Sequence, residues 1–311
     1  EEVQKAIFQM ECNKAPGPDG FPAEFYQTFW DTIKSDLLDL FSDLHIGQLE
    51  LFRLNFGEVI LLPKVNEAER IQQYRPICLL NVSFKIFTKV ATIRLNTVAD
   101  HVVQPSQTAF MQGRNILDGV AVLHETVHEM HSKKLNGVIL KLDFEKAYDK
   151  VKWSFLQQTL RMKGFSPEWR ALINDFVYGG SVAIRVNDDT GRFFQTRKGL
   201  RQGNPLSPLL FNIVEDMLAI LIERAKSDGQ IEGVIPHLVD GGLSNLQYDD
   251  DTILFMEHDL DKARNLKLIL AAFEHLSGLE INFHKSELFC FGDAQDSVAE
   301  YSELIGCGQG Q

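Results

Sequence analysis

The chain has 311 residues, of which 44% are hydrophobic and 22 are phenylalanine, so it is a globular protein of one large or two smaller domains and not a disordered one. No apolar run approaches the length of a membrane span and no signal-peptide pattern stands at the N-terminus, so we expect no membrane partner. The formal net charge of −12 argues against an overall basic nucleic-acid binder.

Apolar residues at helical spacing predict several long helices along the chain. They cover residues 1–12, Ala23 to about Leu51, Ser83 to about Val103, Ile116 to Lys133, the segment after Pro208, and Asp259 to Leu276. A proline- and glycine-rich loop, Asn13–Pro22, follows the first helix. Four widely spaced cysteines form no CxxC pair, which predicts reduced thiols in an intracellular protein, in the nucleus or the cytoplasm.

Short runs rich in β-branched and aromatic residues predict the strands. Glu58–Lys64 and Tyr74–Ile77 predict a hairpin in which Lys64 and Arg75 face each other, as two cations suited to a polyphosphate. Val138–Asp143 predicts a buried strand that ends in an aspartate, and Glu287–Phe291 predicts the last strand. The sequence from Gly292 onward shows no clear pattern.

The stretch Leu246–Met256 is the most informative part of the sequence. It predicts a buried hairpin whose turn carries three consecutive aspartates, Asp249, Asp250 and Asp251. Aspartate favours turns, so an acidic hairpin tip is the more frequent explanation of such a stretch on its own. Like charges this close repel unless a cation neutralises them, so a divalent metal site is the alternative.

Two predicted strands end in carboxylates, at Asp143 and at Asp250–Asp251. If these strands are neighbours in one sheet, three carboxylates converge on one edge. They could then hold two Mg²⁺ ions about 3.5–4 Å apart for an in-line displacement at phosphorus. Lys64 and Arg75 would be available for a triphosphate, and Lys285 is a candidate proton donor to its leaving group.

The order of these motifs resembles the reverse transcriptase domain of non-LTR retrotransposons, the plant LINE type in particular. The matching segments cover nearly the whole chain: Lys14–Gly20, Leu62–Lys64, Tyr74–Ile77, Leu142–Asp149, Gly199–Gly203 with Pro205–Pro208, Tyr248–Asp251, and Gly278–Asn282 with Lys285. The resemblance implies an α+β, right-hand polymerase fold over residues 1–292. Its fingers would span about 1–110 and 152–195 and its palm, an antiparallel sheet packed on helices, about 111–151 and 196–292, with a poorly patterned tail over 293–311.

The resemblance also implies a role for each candidate residue. Asp143, Asp250 and Asp251, with the main-chain oxygen of Phe144, would hold the two magnesium ions. Gln202 and Gly203 would line the incoming nucleotide, while Lys64 and Arg75 would bind its phosphates. Tyr148 matches a steric gate, a ring beside the sugar C2′ that excludes ribonucleotides. The implied partners are an RNA template, a DNA primer and dNTPs.

Two residues depart from the family pattern. Asp249 stands where the family usually has a small uncharged residue, and Asn204 stands where it usually has an aspartate. An added negative charge near the primer end and the nucleotide phosphates opposes binding of both, which predicts impaired catalysis in this copy. We also expect the thumb and the endonuclease segment of a full-length element to be missing, and nucleic-acid affinity to be weak and to fall steeply with salt.

Two other functions remain open. A viral-type RNA-dependent RNA polymerase shares the paired aspartates, but the bulky Tyr148 argues against it. A catalytically inactive remnant that binds only nucleic acid or a protein partner is favoured by Asp249 and Asn204. A preference for dNTPs over NTPs would distinguish a reverse transcriptase from an RNA-dependent RNA polymerase. Stabilisation of the fold by magnesium would distinguish a working enzyme from an inactive remnant.

Overall fold

The computed structural model describes residues 1–310 as a mixture of helices and short strands. The α-helices are α1 Glu2–Phe8, α2 Ala23–Thr28, α3 Trp30–His45, α4 Val82–Asn96, α5 Ala99–Val102, α6 Ile116–Ser132, α7 Ala147–Lys150, α8 Trp153–Met162, α9 Pro167–Val177, α10 Ser207–Ser227, α11 Leu260–Ser277 and α12 Val298–Ile305. The strands are β1 Phe56–Pro63, β2 Tyr74–Leu80, β3 Gly137–Leu142, β4 Ser181–Val186, β5 Asp189–Thr190, β6 Phe194–Gln195, β7 Asn245–Tyr248, β8 Asp251–Glu257, β9 Glu287–Phe291 and β10 Gly308–Gln309.

The chain divides into two compact units. The first unit comprises residues 1–97 and 160–207, and the second comprises residues 98–159 and 208 onward. The predicted division into fingers and palm lies at residues 110, 151 and 195, and the assignment of those names to the units stays a prediction.

The first unit combines a small sheet with a helical core. Its sheet has the order β2-β1-β4-β5, with β6 also paired to β4; β1 runs antiparallel to β2 and parallel to β4. Helices α1 to α4 bury one shared cluster, in which Ile7 and Ile86 are fully inaccessible to solvent. Phe41 on α3 stacks on Phe87 of α4, with ring centroids 4.2 Å apart. Burial of these apolar faces stabilises the helices, as their amphipathic spacing predicts.

The sheet of the second unit has the order β10-β9-β3-β8-β7. Its central strand β3 pairs antiparallel with both β8 and β9. Neighbouring positions on β3, Val138, Ile139 and Leu140, are all buried, so both faces of this strand are covered. Ile139 joins a core cluster with Phe255 of β8 and Met130 of α6.

Helix α10 is buried around most of its circumference. Apolar residues such as Phe211 and Val214 are fully buried, and so are the acidic residues Glu215 and Asp216 that lie among them. A helix that is apolar on all sides belongs in the interior of a domain. The sequence predicted one apolar stripe on this helix, whereas the structure buries its polar positions as well.

The structure differs from the sequence prediction in several segments, the first being α1, which ends at Phe8 and not at residue 12. The predicted helix from Ala23 to Leu51 is broken at Phe29, where the backbone leaves the helical region (φ −97°, ψ 15°). The helix predicted to reach Val103 ends at Asn96, and α5 is a separate turn of helix. The segment after Gly292, which has no clear pattern, forms a 3₁₀ turn, α12 and β10, with Tyr301 and Ile305 fully buried.

One prediction from composition agrees with the structure. All four cysteines are free thiols. Within residues 1–310, no helix combines the length and the apolar composition that crossing a bilayer requires.

Candidate active site

The three aspartates lie at the tip of the β7–β8 hairpin. Tyr248 pairs with Asp251, so Asp249 and Asp250 form a two-residue connection between the strands. Asp249 has a positive φ of 54°. Two-residue hairpin turns require positive φ in the connection, and aspartate adopts it more readily than most residues do. The backbone conformation of the turn is therefore one reason for an aspartate at position 249, in addition to any role in binding.

Register places Asp143 next to Asp251. The β3–β8 ladder ends with Leu142 opposite Thr252, so the next position on each strand is an aspartate. Residues opposite each other in an antiparallel pair have Cα atoms about 4.5–5.5 Å apart and side chains on one face of the sheet. The two strands are neighbours, as the sequence prediction requires, and Asp250 lies in the turn next to Asp251.

The chemistry of this edge suits a hard divalent cation. Carboxylate oxygens are the ligands that Mg²⁺ prefers, and Asp250 and Asp251 are exposed, while Asp143 is half-buried. Within residues 1–310, however, no three His, Cys, Asp or Glu side chains are already grouped around one point as a metal would need. The backbone register brings the carboxylates to one edge of the sheet.

Lys285 lies beside Asp143. Its Nζ is 4.0 Å from Asp143 Oδ2, and both side chains are substantially exposed. The loop that carries Lys285 is fastened to the end of β3, because Asn282 N donates to Asp143 O at 2.7 Å and Asp143 N donates to Ser286 Oγ at 3.1 Å. An exposed ion pair of this length adds little stability, so Lys285 is held near the carboxylate by its loop.

Tyr148 is buried and held at both ends of its side chain. Its ring stacks on Phe211 of α10, with centroids 4.6 Å apart and planes 15° apart. Its hydroxyl donates a hydrogen bond to Asp249 Oδ1 at 2.6 Å. Burial, and after it the bond to the Asp249 carboxylate, raises the pKa of the Tyr148 phenol far above its usual value. The phenol therefore stays a neutral hydrogen-bond donor at any physiological pH.

A buried polar network lies behind the acidic turn. Thr252, adjacent to Asp251, donates to Glu215 Oε1 at 2.6 Å, and Gln107 Nε2 donates to Glu215 Oε2 at 2.6 Å. Gln107 Oε1 in turn accepts from the main-chain N–H of Asp249 at 3.3 Å. Burial raises the pKa of the Glu215 carboxyl well above its usual value. This network ties the turn to helix α10 and restricts where the aspartates can lie.

Glu215 and Gln107 are not among the site residues predicted from the sequence. Glu215 stands between Val214 and Asp216 in a strongly apolar helix, and a carboxylate there belongs on an exposed face by default. The sequence signal was that Glu215 and Asp216 interrupt an otherwise mostly apolar helix, with apolar residues on both sides of them along the chain.

The two predicted phosphate-binding cations lie on the β1–β2 hairpin of the first unit. Arg75 is opposite Leu62, and Lys64 follows β1 with its N–H bonded to Gln73 O at 2.7 Å. Arg75 and Lys64 are therefore two positions apart along the ladder and not directly opposite, as the sequence analysis expected. Both are exposed.

Comparison with known proteins identifies the family. Residues 62–304, more than half of the chain, match the family described as reverse transcriptase (RNA-dependent DNA polymerase). The chain belongs to the reverse transcriptase family.

The sequence relatives of this reverse transcriptase chain come from non-LTR retrotransposons. It is 30% identical over 290 residues to the transposon TX1 149 kDa protein of Xenopus laevis, covering 92% of this chain and 21% of that protein. It is 27% identical over 269 residues to the Pol polyprotein of a type-1 retrotransposable element R2 of Nasonia vitripennis, covering 86% of this chain and 25% of that protein. The chain thus spans about a quarter or less of the length of these relatives.

Solved structures confirm the fold. Apo telomerase from Candida tropicalis, truncated from its C-terminal domain, superposes with a TM-score of 0.56 at 11% identity, over 89% of this chain and 58% of that one. At such low identity the likeness speaks for the fold alone. Together with the family match, it shows that the predicted right-hand polymerase fold is correct.

The segment Gln202–Asn204 of this reverse transcriptase packs against strand β2. Cys78 N donates to Gln202 O at 2.9 Å, and a Cβ at Gly203 would lie only 2.5 Å from Cys78 O. Gly203 also has a φ of 107°, which other residues rarely adopt. Glycine is therefore required here by the fold itself, whatever its contact with a nucleotide.

Asn204, one of the two departures from the family pattern, has a local structural role. It is 7% exposed, and its Oδ1 accepts from Leu206 N at 3.1 Å, just before α10 begins. An aspartate could accept the same bond but would bury a charge, so asparagine suits this position without that cost. The replacement is compatible with an intact α10.

Proposed function

We propose that this chain is the RNA-directed DNA polymerase module of a non-LTR retroelement. It would transfer nucleotides from dNTPs to the 3′-hydroxyl of a DNA primer paired with an RNA template. The family membership supports this activity, and so do the relatives, which are described as Pol polyproteins of retrotransposable elements. The observation that carries the proposal is the register that sets Asp143 beside Asp251, with Asp250 in the adjoining turn.

Asp143, Asp250 and Asp251, with the main-chain oxygen of Phe144, would hold two Mg²⁺ ions. Ions held there would supply Lewis-acid chemistry, lowering the pKa of the attacking hydroxyl and stabilising the leaving pyrophosphate. Lys285, close to Asp143, would give a proton to that leaving group. The Lys285 side chain is exposed, so its ammonium group can change position by rotation about the side-chain bonds.

The remaining residues would bind and select the nucleotide. Lys64 and Arg75 are exposed cations on one face of a hairpin, a chemistry suited to phosphates. Gln202 carries a buried Oε1 with no hydrogen-bond partner among residues 1–310, which supports a role in binding a ligand. Tyr148 would exclude the 2′-hydroxyl of a ribonucleotide, because its stacked ring cannot easily move aside.

Primer extension on an RNA template with Mg²⁺ and dNTPs tests the proposal. The unchanged chain should extend the primer, while Asp143→Asn and Asp250→Asn should each reduce the rate by at least about a hundredfold, as expected when a charge that stabilises the transition state is removed. Asp36→Asn, an exposed change on α3, is the matched control and should leave the rate unchanged. Equal rates in all four proteins would refute the assignment of the site.

A second candidate function is a non-catalytic module that binds nucleic acid or a protein partner. The additional negative charge of Asp249, near the proposed site of the nucleotide phosphates, favours it. Binding of an RNA template without any incorporation, at high protein concentration and with either Mg²⁺ or Mn²⁺, would support this candidate over the polymerase.

We also propose that the element is of the plant LINE type and that the chain acts inside the cell, in the nucleus or the cytoplasm. The first proposal rests on the sequence motifs, and the relatives described above are from animals. A tree of sequences that match residues 62–304 tests it. The second rests on the proposed substrates, and imaging of a tagged chain in cells tests it.

A further inference from the structure

The hydrogen bond between Tyr148 and Asp249 joins the proposed sugar gate to one of the two residues that depart from the family pattern. The two residues are 101 positions apart, and the bond is short, at 2.6 Å. Stacking on Phe211 restricts the plane of the ring, and the bond restricts its outer end. A ring fixed in this way has lost most of its rotamer freedom before any nucleotide arrives.

Asp249 is itself held in place, so it is a fixed acceptor. Its φ of 54° belongs to the first position of a tight turn. Its main-chain N–H donates to Gln107, which is fully buried and bonded to the buried Glu215. The position of the Asp249 backbone is therefore set by the interior of the second unit, and the bond from Tyr148 holds its carboxylate.

We propose that Asp249 is a positioning residue for sugar selection, acting through the Tyr148 hydroxyl. This inference rests on the proposed polymerase function and deepens it. With its proton committed to Asp249, Tyr148 offers no hydrogen bond to the oxygen of a ribose 2′-hydroxyl. A ribonucleotide therefore meets a ring that cannot move aside and cannot donate a hydrogen bond to its 2′-oxygen, and a missing donor for a desolvated polar group costs binding free energy.

A double-mutant cycle tests this role. The measured quantity is the ratio of kcat/KM for a dNTP to kcat/KM for the matching NTP in single-nucleotide extension. Asp249→Ala and Tyr148→Phe should each lower this ratio about tenfold, as expected for one hydrogen bond to a charged group. The double variant should lower it no further, because both changes remove the same bond. Asp249→Asn keeps an acceptor oxygen and should recover most of the ratio.

The ratio separates this role from a merely structural one. Removing the negative charge of Asp249 is expected to raise the rate of dNTP incorporation, so the rate and the ratio should move in opposite directions. Tyr301→Phe is the matched control, because it removes a buried hydroxyl that contacts His258 elsewhere in the second unit. It should leave the ratio unchanged.

A binding measurement keeps the test valid if turnover is slow. The primer ends in a dideoxynucleotide, so no extension can occur. The fraction of protein that stays bound to template and primer is then measured as the concentration of dNTP or of NTP is raised. Loss of preference for dNTP in Asp249→Ala and Tyr148→Phe supports the inference. If the unchanged chain discriminates and the variants discriminate equally well, or if their effects add, the inference fails while the polymerase function stands. If the unchanged chain forms no nucleotide-dependent complex and incorporates nothing, both fail.

Discussion

Gly203 shows how a single residue can be required by close backbone packing. A Cβ there would lie 2.5 Å from Cys78 O, and the φ of 107° is unfavourable for any other residue. We therefore expect Gly203→Ala to lower the free energy of unfolding by about 2–4 kcal/mol, from the strained backbone and the clash together. Urea unfolding monitored by circular dichroism measures this loss.

Gly164→Ala is the matched control for that prediction. Gly164 has a φ of 84°, but nothing lies within 4 Å of a Cβ built there. Its replacement should cost only the backbone term, about 1–2 kcal/mol. If Gly203→Ala and Gly164→Ala lower the free energy of unfolding equally, the close approach to Cys78 O does not contribute to the cost of the substitution.

The buried Glu215 should make the free energy of unfolding depend on pH. Its pKa is raised in the folded protein by burial, so the native state holds a proton that the unfolded state has already lost above a pH of about 4.3. The contribution of this group to the free energy of unfolding therefore falls as pH rises from that value toward the raised pKa. Relative to the unchanged chain, Glu215→Gln should gain stability progressively over this range.

Thermal unfolding at a series of pH values measures this difference. Glu303→Gln, an exposed change on α12, is the control and should follow the unchanged chain. Profiles of Glu215→Gln and the unchanged chain that run parallel from pH 4 to pH 8 would show that Glu215 does not titrate as described.

At the scale of residues, sequence patterns located the carboxylates but not what surrounds them. Asp143 and Asp251 follow from strand endings and a motif, because local chemistry and backbone register decide their positions. The bond between Tyr148 and Asp249 joins residues 101 positions apart. The bond that holds the buried Glu215 to Thr252 spans 37 positions. No local sequence pattern encodes such contacts.

At the scale of elements, the N-terminus of α11 offers a direct test of capping. Asp259 Oδ1 accepts from Asp261 N at 2.8 Å and from Lys262 N at 3.0 Å, which satisfies two otherwise unpaired donors. Asp259→Ala should lower the free energy of unfolding by about 1 kcal/mol. Asp261→Ala removes an exposed ion pair with Arg264 from the same turn and should cost less than about 0.5 kcal/mol. Similar losses, measured by urea unfolding, would contradict a capping role.

The elements themselves were predicted where one period dominates the sequence. Helix α6 and strands β3 and β9 agree with prediction within one residue, because their apolar spacing ends sharply. The break at Phe29 was missed because the apolar spacing continues through it, while contacts of the Phe25 ring with Phe21 and Phe29 accompany the change of direction. Helix α12 was missed because it is short and its buried residues, Tyr301 and Ile305, are only two of eight.

At the scale of the whole molecule, the net charge of −12 sets the expected affinity for nucleic acid. We expect binding of an RNA–DNA duplex to be weak and to fall about a hundredfold between 50 and 200 mM salt if about four phosphates are neutralised. Replacing Lys64 or Arg75 with alanine should leave this salt slope unchanged, as should Lys5→Ala, exposed on α1, because Lys64 and Arg75 are assigned to the phosphates of the nucleotide, which is absent from this measurement. Fluorescence anisotropy at several salt concentrations measures this, and tight binding insensitive to salt would contradict it.

The central claim is that carboxylates distant in sequence meet at one sheet edge and bind magnesium there. Thermal unfolding with increasing Mg²⁺ tests it most directly, since a ligand that binds only the native state at ten times its Kd adds about 1.4 kcal/mol of stability. The unchanged chain and Asp36→Asn should gain this stability, and Asp143→Asn and Asp251→Asn should not. The same magnesium-dependent shift in all four proteins, or none in the unchanged chain, would contradict the claim.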